Sequence, residues 1–235
     1  MCGRMTLTSS DLGQVLGELQ EALGSVGVRP ILADDDAPSL FRPRYNVAPT
    51  QLHPVLRRLR DHANLGFASW GVLARGPGKP PAINARAETV LERPAFKDAF
   101  TTRRCVVPAD GFFEWKAGPD GRQPLWFHRP DGKLILLAGL FEQDIATGNE
   151  PVRARFVVLT TSPNALMAPV HDRMPALLSP SEAAEWLAKP TVKVLHPAPD
   201  ELLVATPVST RVNSARHDDP ACLGPPRCVQ MRLFE

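Results

Sequence analysis

The second residue of the chain carries the most distinctive chemistry in the sequence. Removal of Met1 would leave Cys2 as the first residue, with an α-amine and a thiol on adjacent carbon atoms. Both groups are partly deprotonated near neutral pH. The amine can condense with an aldehyde to an imine, and the thiol can then close a five-membered thiazolidine ring, a step helped by being intramolecular. The same cysteine could instead be an acyl-transfer nucleophile, or simply fill space under the first strand.

A carboxyl group within an apolar segment is the second candidate. Glu114 lies between Phe113 and Trp115 in the run CVVPADGFFEWK. A carboxyl in apolar surroundings is suited to general acid or base catalysis. Because side chains alternate across a strand, the pattern is also compatible with Glu114 facing solvent. The turn-like pair Asp110–Gly111 keeps that alternative open.

Two further polar segments could bind a ligand. In INARAET, Asn84 and Arg86 are two residues apart, so on an extended segment they point the same way and could hold a carbonyl or a phosphate. A capped helix start is the alternative. The segment RYNVAPTQ contains Asn46 and Pro49, and by itself it is typical of an ordinary turn.

A histidine between proline-rich turns is the last candidate. His171 lies in SPNALMAPVHDRMPALL, directly before Asp172 and Arg173. Histidine is the side chain most easily used for proton transfer near neutral pH. The chain has six histidines, most of which must be incidental, so the type alone does not assign a role.

The composition limits the classes of protein to consider. The chain has 235 residues, 25 of them proline, and a net charge of +2. That proline content disfavours long helices and favours short strands and turns. The longest apolar stretch, Leu134–Phe141, is far shorter than the ~20 residues of a membrane helix, and no charged-then-apolar leader follows Met1, so we expect a cytoplasmic protein.

Charge and cysteine content say less about partners and cofactors. The basic residues are mostly arginine, which suits phosphate binding but also follows from codon bias. The four cysteines form no CxxC pair, so we expect free thiols, no structural zinc and no cofactor.

The pattern of apolar residues predicts the elements that position these side chains. It predicts an opening strand over Gly3–Thr8, a helix capped by Ser9 or Ser10 that ends near Gly24, and a loop over Gly27–Pro43. A late helix is expected over Ser179–Leu187. Short apolar runs separated by turn signals predict neighbouring antiparallel strands. These runs are His53–Leu59, Gly66–Leu73, Cys105–Ala109, Phe112–Lys116, Leu125–His128, Leu134–Leu140, Arg155–Thr160, Leu202–Val208 and Cys228–Leu233.

These elements indicate an α+β fold. We expect a single domain over residues 1–235, with a curved, mostly antiparallel β-sheet or open barrel at its core and a few peripheral helices.

Five segments in a fixed order resemble the SRAP family (SOS-response-associated peptidase). They are MCGR, RYNVAP, INARAET, VVPADGFFEWK and VHDRMP, and the resemblance runs from Met1 to about Leu187. The later segment PVSTRVN is similar to a closing segment of the family. The resemblance implies that the protein binds single-stranded DNA and reacts covalently with abasic sites. An abasic deoxyribose exists partly as an open-chain aldehyde, the electrophile that an amine–thiol pair traps.

The resemblance also implies the catalytic residues. Cys2 matches the reactive terminal cysteine of the family, and Asn84, Glu114 and His171 match its active-site positions. Their chemistry suggests that Glu114 moves protons as the sugar opens and the link forms or reverses. His171 would assist sugar opening or bind the adjacent phosphate, and Asn84 would orient the cysteine or the sugar.

The same comparison implies the DNA contacts. Arg4, Arg86 and Arg173 match family positions that hold the DNA backbone, and Asn46 and Pro49 would line the same pocket.

One segment departs from the family pattern. Gly76 and Pro77 stand where the family often has two tryptophans that stack on exposed bases. Stacking contributes ~1–3 kcal/mol per base, so DNA binding could be weaker or use other rings.

The expected partner is single-stranded DNA with abasic sites. We expect a monomer that binds no membrane and associates with the nucleoid when DNA is damaged. The expected chemistry is lyase-like Schiff-base formation, with peptidase activity limited to removal of Met1. Three other functions remain open. The first is a glutamine amidohydrolase, since class II amidotransferases also begin Met-Cys-Gly. The others are a non-covalent module that binds single-stranded DNA, and a lyase that cuts the strand at the abasic site.

Overall fold

The computed structural model describes residues 3–33, 37–59, 62–71, 81–119, 121–143 and 154–226. Its helices are α1 (Leu12–Gly24), α2 (Ala37–Leu40), α3 (Pro94–Thr102) and α4 (Pro180–Ala188). Its strands are β1 (Met5–Leu7), β2 (Pro30–Leu32), β3 (Arg44–Val47), β4 (Leu52–Leu59), β5 (His62–Trp70), β6 (Asn84–Arg86), β7 (Arg104–Ala109), β8 (Gly111–Gly118), β9 (Gly121–His128), β10 (Ile135–Gln143), β11 (Ala154–Thr161), β12 (Met174–Pro175), β13 (Leu177–Leu178) and β14 (Val204–Pro207).

Five of these strands form a closed barrel. They are joined in the order β11–β10–β7–β4–β5 by antiparallel pairing. The barrel closes because β5 also pairs with β11, in parallel register, with Phe156 opposite Trp70. The predicted α+β class is confirmed, and the barrel that we expected to be open is closed.

A second sheet, in the order β14–β9–β8–β1–β3, packs against the barrel. The chain passes from the barrel to this sheet at Asp110, between β7 and β8. The Asp110 carboxylate accepts hydrogen bonds from the Thr6 hydroxyl, and from the Thr8 amide and hydroxyl at 2.5 and 2.6 Å. Gly111 is required here, since a Cβ atom would lie 2.1 Å from Nε1 of Trp126.

Alternating side chains of the barrel strands supply two apolar cores. One core packs α1, α3 and α4 against the barrel strands. The other packs β1, β8 and β9 against them, and includes the stacked rings of Phe112 and Phe127, whose centroids are 5.3 Å apart. The site described below is built on the second core.

Local sequence signals locate α1 and α4 well, with small errors at the ends. The side chain of Asp11, rather than Ser9 or Ser10, caps α1 by accepting from the Gln14 amide. The helix ends at Gly24 as expected. Ser179 begins α4 with a capping box in which it exchanges hydrogen bonds with Glu182.

Several short elements were not predicted. The expected loop over Gly27–Pro43 contains β2 and α2, the segment RYNV forms β3, and α3 was missed. The pairings of β2 with β5 and of β6 with β11 are parallel. Three-residue strands such as these lack a readable alternation, and tertiary pairing fixes them. The expected strand over Cys228–Leu233 lies outside the described residues, as do Met1, Cys2, Gly76 and Pro77.

The described cysteines are not reactive candidates. Cys105 and Cys222 are buried free thiols, and burial raises the pKa of Cys105 to about 12. Within the described ranges, no three His, Cys, Asp or Glu side chains come together as metal ligands. None of the described helices is long and apolar enough to cross a membrane.

One buried histidine makes the stability of the fold depend on pH. His53 in β4 is fully buried, and its Nε2 lies 2.7 Å from the carbonyl oxygen of Pro108. A carbonyl only accepts, so Nε2 carries the proton. Nδ1 has no partner among the described residues. Burial lowers the pKa of His53 from 6.5 to about 4, so the fold holds the ring neutral.

We predict that His53 does not affect the free energy of unfolding above pH 6.5, where the ring is neutral in both states. Below pH 6.5 the free energy of unfolding should fall as the pH is lowered towards 4. In that range the unfolded state takes up a proton and the folded state does not, which costs about 3 kcal/mol. His53→Gln can still donate to Pro108 but has no proton to gain. Urea denaturation from pH 7.5 to 4 should therefore show a shallower loss for the variant. Parallel curves for both proteins would contradict this account.

Candidate active site

The first described residues run beside the strand that carries Glu114. Strand β1 is antiparallel to β8, with Met5 opposite Phe112. The amide of Phe113 donates to the Arg4 carbonyl at 3.0 Å. Cys2 lies outside the described residues, so the described part of this pairing begins at Gly3 and Arg4.

Glu114 is a buried carboxyl group on β8. Its side chain is only 5% exposed, so the alternative in which the strand turns it to solvent does not hold. It pairs with Leu125 of β9 and lies two residues after Phe112, on the face that packs on the second core. A carboxyl in such a place can hold or release a proton with little competition from water.

Asn84 and Arg86 lie on β6, which pairs in parallel with β11. Val158 is opposite Asn84, and Thr160 is opposite Arg86. Asn84 is 8% exposed, whereas Arg86 is exposed. The segment is a strand followed by a 3₁₀ turn over Ala87–Thr89, so the helix start considered from the sequence is not formed.

Two groups of opposite polarity contact the ring of His171. Its Nδ1 lies 3.0 Å from the amide of Arg173 and 2.9 Å from Oδ1 of Asp172. In the neutral ring Nδ1 accepts from the amide, which leaves the proton on Nε2. In the cationic ring Nδ1–H donates to Asp172. The half-buried ring therefore suits proton transfer.

Arg173 is held by a carboxylate that lies far from it in the sequence. Its two terminal nitrogens bind Glu88 at 2.8 and 2.7 Å, and one also donates to the Thr160 carbonyl at 2.6 Å. The hydrogen bond from Arg173 holds the pKa of Glu88 below its ordinary value. Only 13% of the Arg173 side chain is exposed. Glu88 and Arg173 are 85 residues apart, so no local signal joins them.

Arg4 and Asn46 form a structural link to a late segment of the chain. Arg4 donates to Oδ1 of Asn46 at 2.9 Å and to the Val212 carbonyl at 2.8 Å. Asn46 is fully buried, and its Nδ2 donates to the carbonyls of Val212, Ser214 and His217. Burial lowers the pKa of Arg4. Asn46 therefore joins β3 and Arg4 to the segment from Val212 to His217, and its expected place in the DNA pocket stays a prediction.

Pro49 stays at the surface. It is half-buried and precedes Thr50, whose φ of 75° lies in the left-handed region. The turn is closed by a hydrogen bond from the Gln51 amide to the Ala48 carbonyl at 3.2 Å.

One apolar core connects these groups. Met5 follows Arg4, Phe112 precedes Glu114 by two residues, Val158 is opposite Asn84, and Met174 follows Arg173. All four apolar residues belong to the second core. The side chains predicted to act together thus project from elements that pack on the same interior. Arg173 also lies at the end of β11 together with Arg86, since its side chain donates to the Thr160 carbonyl and Thr160 is opposite Arg86.

Comparisons with known proteins agree on one class. The SRAP family, described as SOS response associated peptidase, matches residues 1–215. The abasic site processing protein YoqW of Bacillus subtilis is 32% identical over 239 residues, covering 94% of this chain and 97% of that protein. The abasic site processing protein HMCES of Xenopus tropicalis is 29% identical and covers 95% of this chain and 78% of that protein.

The fold is shared with a solved structure. A crystal structure of a protein from Bacteroides thetaiotaomicron matches with a TM-score of 0.75 and 20% identity, covering 95% of this chain and 99% of that one. The fold and the ordered site segments thus define an SRAP-type α+β protein. The chain belongs to the SRAP family.

We predict that Asn46 is a stability residue. Asn46→Ala removes a side chain that bonds Arg4 and three backbone carbonyls, and leaves buried groups without partners. The expected cost is about 3 kcal/mol in the free energy of unfolding, measured by urea denaturation. Asn213→Ala is the matched control, because Asn213 is exposed and its side chain accepts one bond, from Trp115 at 2.7 Å. Equal effects for the two variants would argue against this role.

Proposed function

We propose that this protein binds single-stranded DNA and forms a covalent link with abasic sites through Cys2, protecting the site during the response to DNA damage. The observation that carries the proposal is the pairing of β1 with β8, which runs the start of the chain beside the buried Glu114. The relatives YoqW and HMCES, which are abasic site processing proteins, support the same substrate.

The chemistry follows from the two groups of a terminal Cys2. The amine attacks the aldehyde carbon of the ring-opened sugar, and loss of one water gives an imine. The thiolate then adds to the imine carbon, the electron pair moves to nitrogen, and nitrogen takes a proton. The product is a thiazolidine that joins protein and DNA. Because the amine must be free, removal of Met1 comes first, and this is the only peptidase step that the proposal needs.

Glu114, His171 and Asn84 supply proton transfer and alignment in this scheme. Opening the sugar requires a proton to leave the anomeric hydroxyl and another to reach the ring oxygen. The buried Glu114 carboxyl suits those transfers. The His171 ring does too, since its Nδ1 lies near both the Arg173 amide and the Asp172 carboxylate. The Asn84 amide can hold the cysteine or the sugar by hydrogen bonding.

The arginines divide into exposed and fixed members. Arg86 is exposed on β6, and its guanidinium suits a phosphate. Arg173 is oriented by Glu88, which fixes the position of its guanidinium charge beside the DNA path that we propose. Arg4 and Asn46 shape the site by fixing the segment from Val212 to His217. Pro49 lies on a surface turn where it can contact DNA.

We expect wild-type protein to form a heat-stable adduct with single-stranded DNA that contains an abasic site. Cys2→Ser should not yield the stable product, since the oxygen ring closes far less favourably. An oligonucleotide with a tetrahydrofuran site, which has no aldehyde, is the matched control. A shifted band on a denaturing gel is the measurement.

The same experiment separates the alternative functions. Absence of the shifted band for the wild type would overturn the proposal, and DNA binding without an adduct would leave a non-covalent module. Strand scission by Cys2→Ala, which keeps the amine, would reveal the lyase path. Glutamine hydrolysis would favour the amidohydrolase.

We predict that Glu114→Gln slows formation or reversal of the link by about 100-fold, because the amide keeps the size but cannot exchange a proton. Rates would be followed by gel under single-turnover conditions. Glu185→Gln is the control, since Glu185 pairs with Lys189 on the surface of α4, at 3.3 Å. Unchanged rates in both directions would remove Glu114 from the mechanism.

A further inference from the structure

Trp70 connects the end of β5 to the strand that carries Asn84. Its side chain is fully buried, and its indole Nε1 donates to the Ile83 carbonyl at 2.9 Å. Ile83 directly precedes Asn84. The same carbonyl accepts from the Val158 amide at 3.1 Å, so two donors fix the peptide that leads into β6.

The backbone of Trp70 holds a second segment of the site. Its carbonyl accepts from the Thr50 amide at 2.7 Å, and its amide donates to the Gln51 carbonyl at 3.0 Å. Thr50 is the only non-glycine residue with positive φ in the described part of the chain. A β-branched residue in that conformation is strained and persists where its surroundings hold it. Trp70 thus fixes the turn that contains Pro49.

Trp70 is itself immobilised by the closure of the barrel. Its ring stacks on Phe156 with centroids 6.1 Å apart and planes 7° apart. The next residue, Gly71, donates to the Phe156 carbonyl at 2.7 Å. Gly71 has a φ of 116°, and a Cβ there would lie 3.1 Å from the Cβ of Pro81. The end of β5 is therefore packed closely against Phe156 of β11 and against Pro81, in a single arrangement.

We propose that Trp70 is a positioning residue for the cross-linking reaction, acting through its indole hydrogen bond on the placement of Asn84. The inference rests on the proposed function. Trp70 is fully buried, so its effect must pass through the residues that it holds. Loss of the indole N–H leaves the backbone bonds to Thr50 and Gln51 in place, so the turn with Pro49 is spared. The loss removes one of the two donors that fix the peptide before Asn84, and only the Val158 amide still holds it.

The test is Trp70→Phe, which keeps an aromatic ring against Phe156 but cannot donate to Ile83. We expect the maximal rate of adduct formation at saturating abasic DNA to fall about tenfold or more, because misplacement of a reacting or orienting group slows reaction steeply. The DNA concentration that gives half the maximal rate should change less than about twofold.

Trp186→Phe is the matched control. Trp186 is also fully buried, and its indole also donates to a backbone carbonyl, that of Cys105 at 3.0 Å. It lies on α4 in the other core. We expect a comparable loss of stability in the two variants but a normal maximal rate for Trp186→Phe. If both variants lost the same amount of maximal rate, the loss would come from reduced stability of the fold, and the inference would be overturned.

A double variant separates positioning from a merely structural role. If Trp70 acts through Asn84, Trp70→Phe combined with Asn84→Ala should be no slower than Asn84→Ala alone. A further slowing equal to that of the single Trp70 variant would contradict the inference.

Two results distinguish failure of this inference from failure of the proposed function. No adduct with wild-type protein defeats the proposed function, and this inference with it. A wild-type adduct with an unchanged rate for Trp70→Phe defeats the inference alone. Where Trp70→Phe does not fold, 3-benzothienylalanine at position 70 keeps both fused rings, replaces the N–H by sulfur, and gives the same readout.

Discussion

The parallel pairing of β5 with β11 is the constraint on which the rest of the structure depends. It closes the barrel, with Arg155 opposite Ser69 and Phe156 opposite Trp70. Beyond that pairing β11 continues past β5, and its next residues pair with β6 and then with β12. One strand therefore presents Asn84 and Arg86 on one side and the segment of His171 and Arg173 on the other.

The site combines groups that are fixed for different physical reasons. Glu114 is held by a sheet that packs on the apolar core, Arg173 by a carboxylate, and Asn46 by backbone carbonyls. Burying polar groups costs free energy unless they are hydrogen-bonded. Hydrogen bonds to Arg173 and Asn46 offset that cost in this region. In the proposed mechanism, such an arrangement would orient the proton-transfer groups before a substrate arrives, and orientation of this kind accelerates reactions.

The sequence predicts the features that depend on neighbouring residues, such as helix caps and apolar spacing. It does not predict contacts between residues that are far apart in the chain. The capping box of Ser179 and Glu182, the apolar spacing of α1 and the long strands are legible because neighbours in sequence determine them. Helix α3 was missed although Phe96, Ala99 and Phe100 have helical spacing, since no side chain caps its start. The Glu88–Arg173 pair and the bonds from Asn46 to Val212 and His217 join residues far apart in sequence, so only the fold brings them together.

The proposed chemistry requires a mature chain that begins with a 1,2-aminothiol, which condenses with an abasic sugar. Intact mass spectrometry of the purified protein, alone and after incubation with abasic single-stranded DNA, tests it most directly. We expect a free protein that lacks Met1, and a second species with the summed mass of that protein and the oligonucleotide less one water. A protein that retains Met1, or that keeps its own mass in the presence of the DNA, would contradict it.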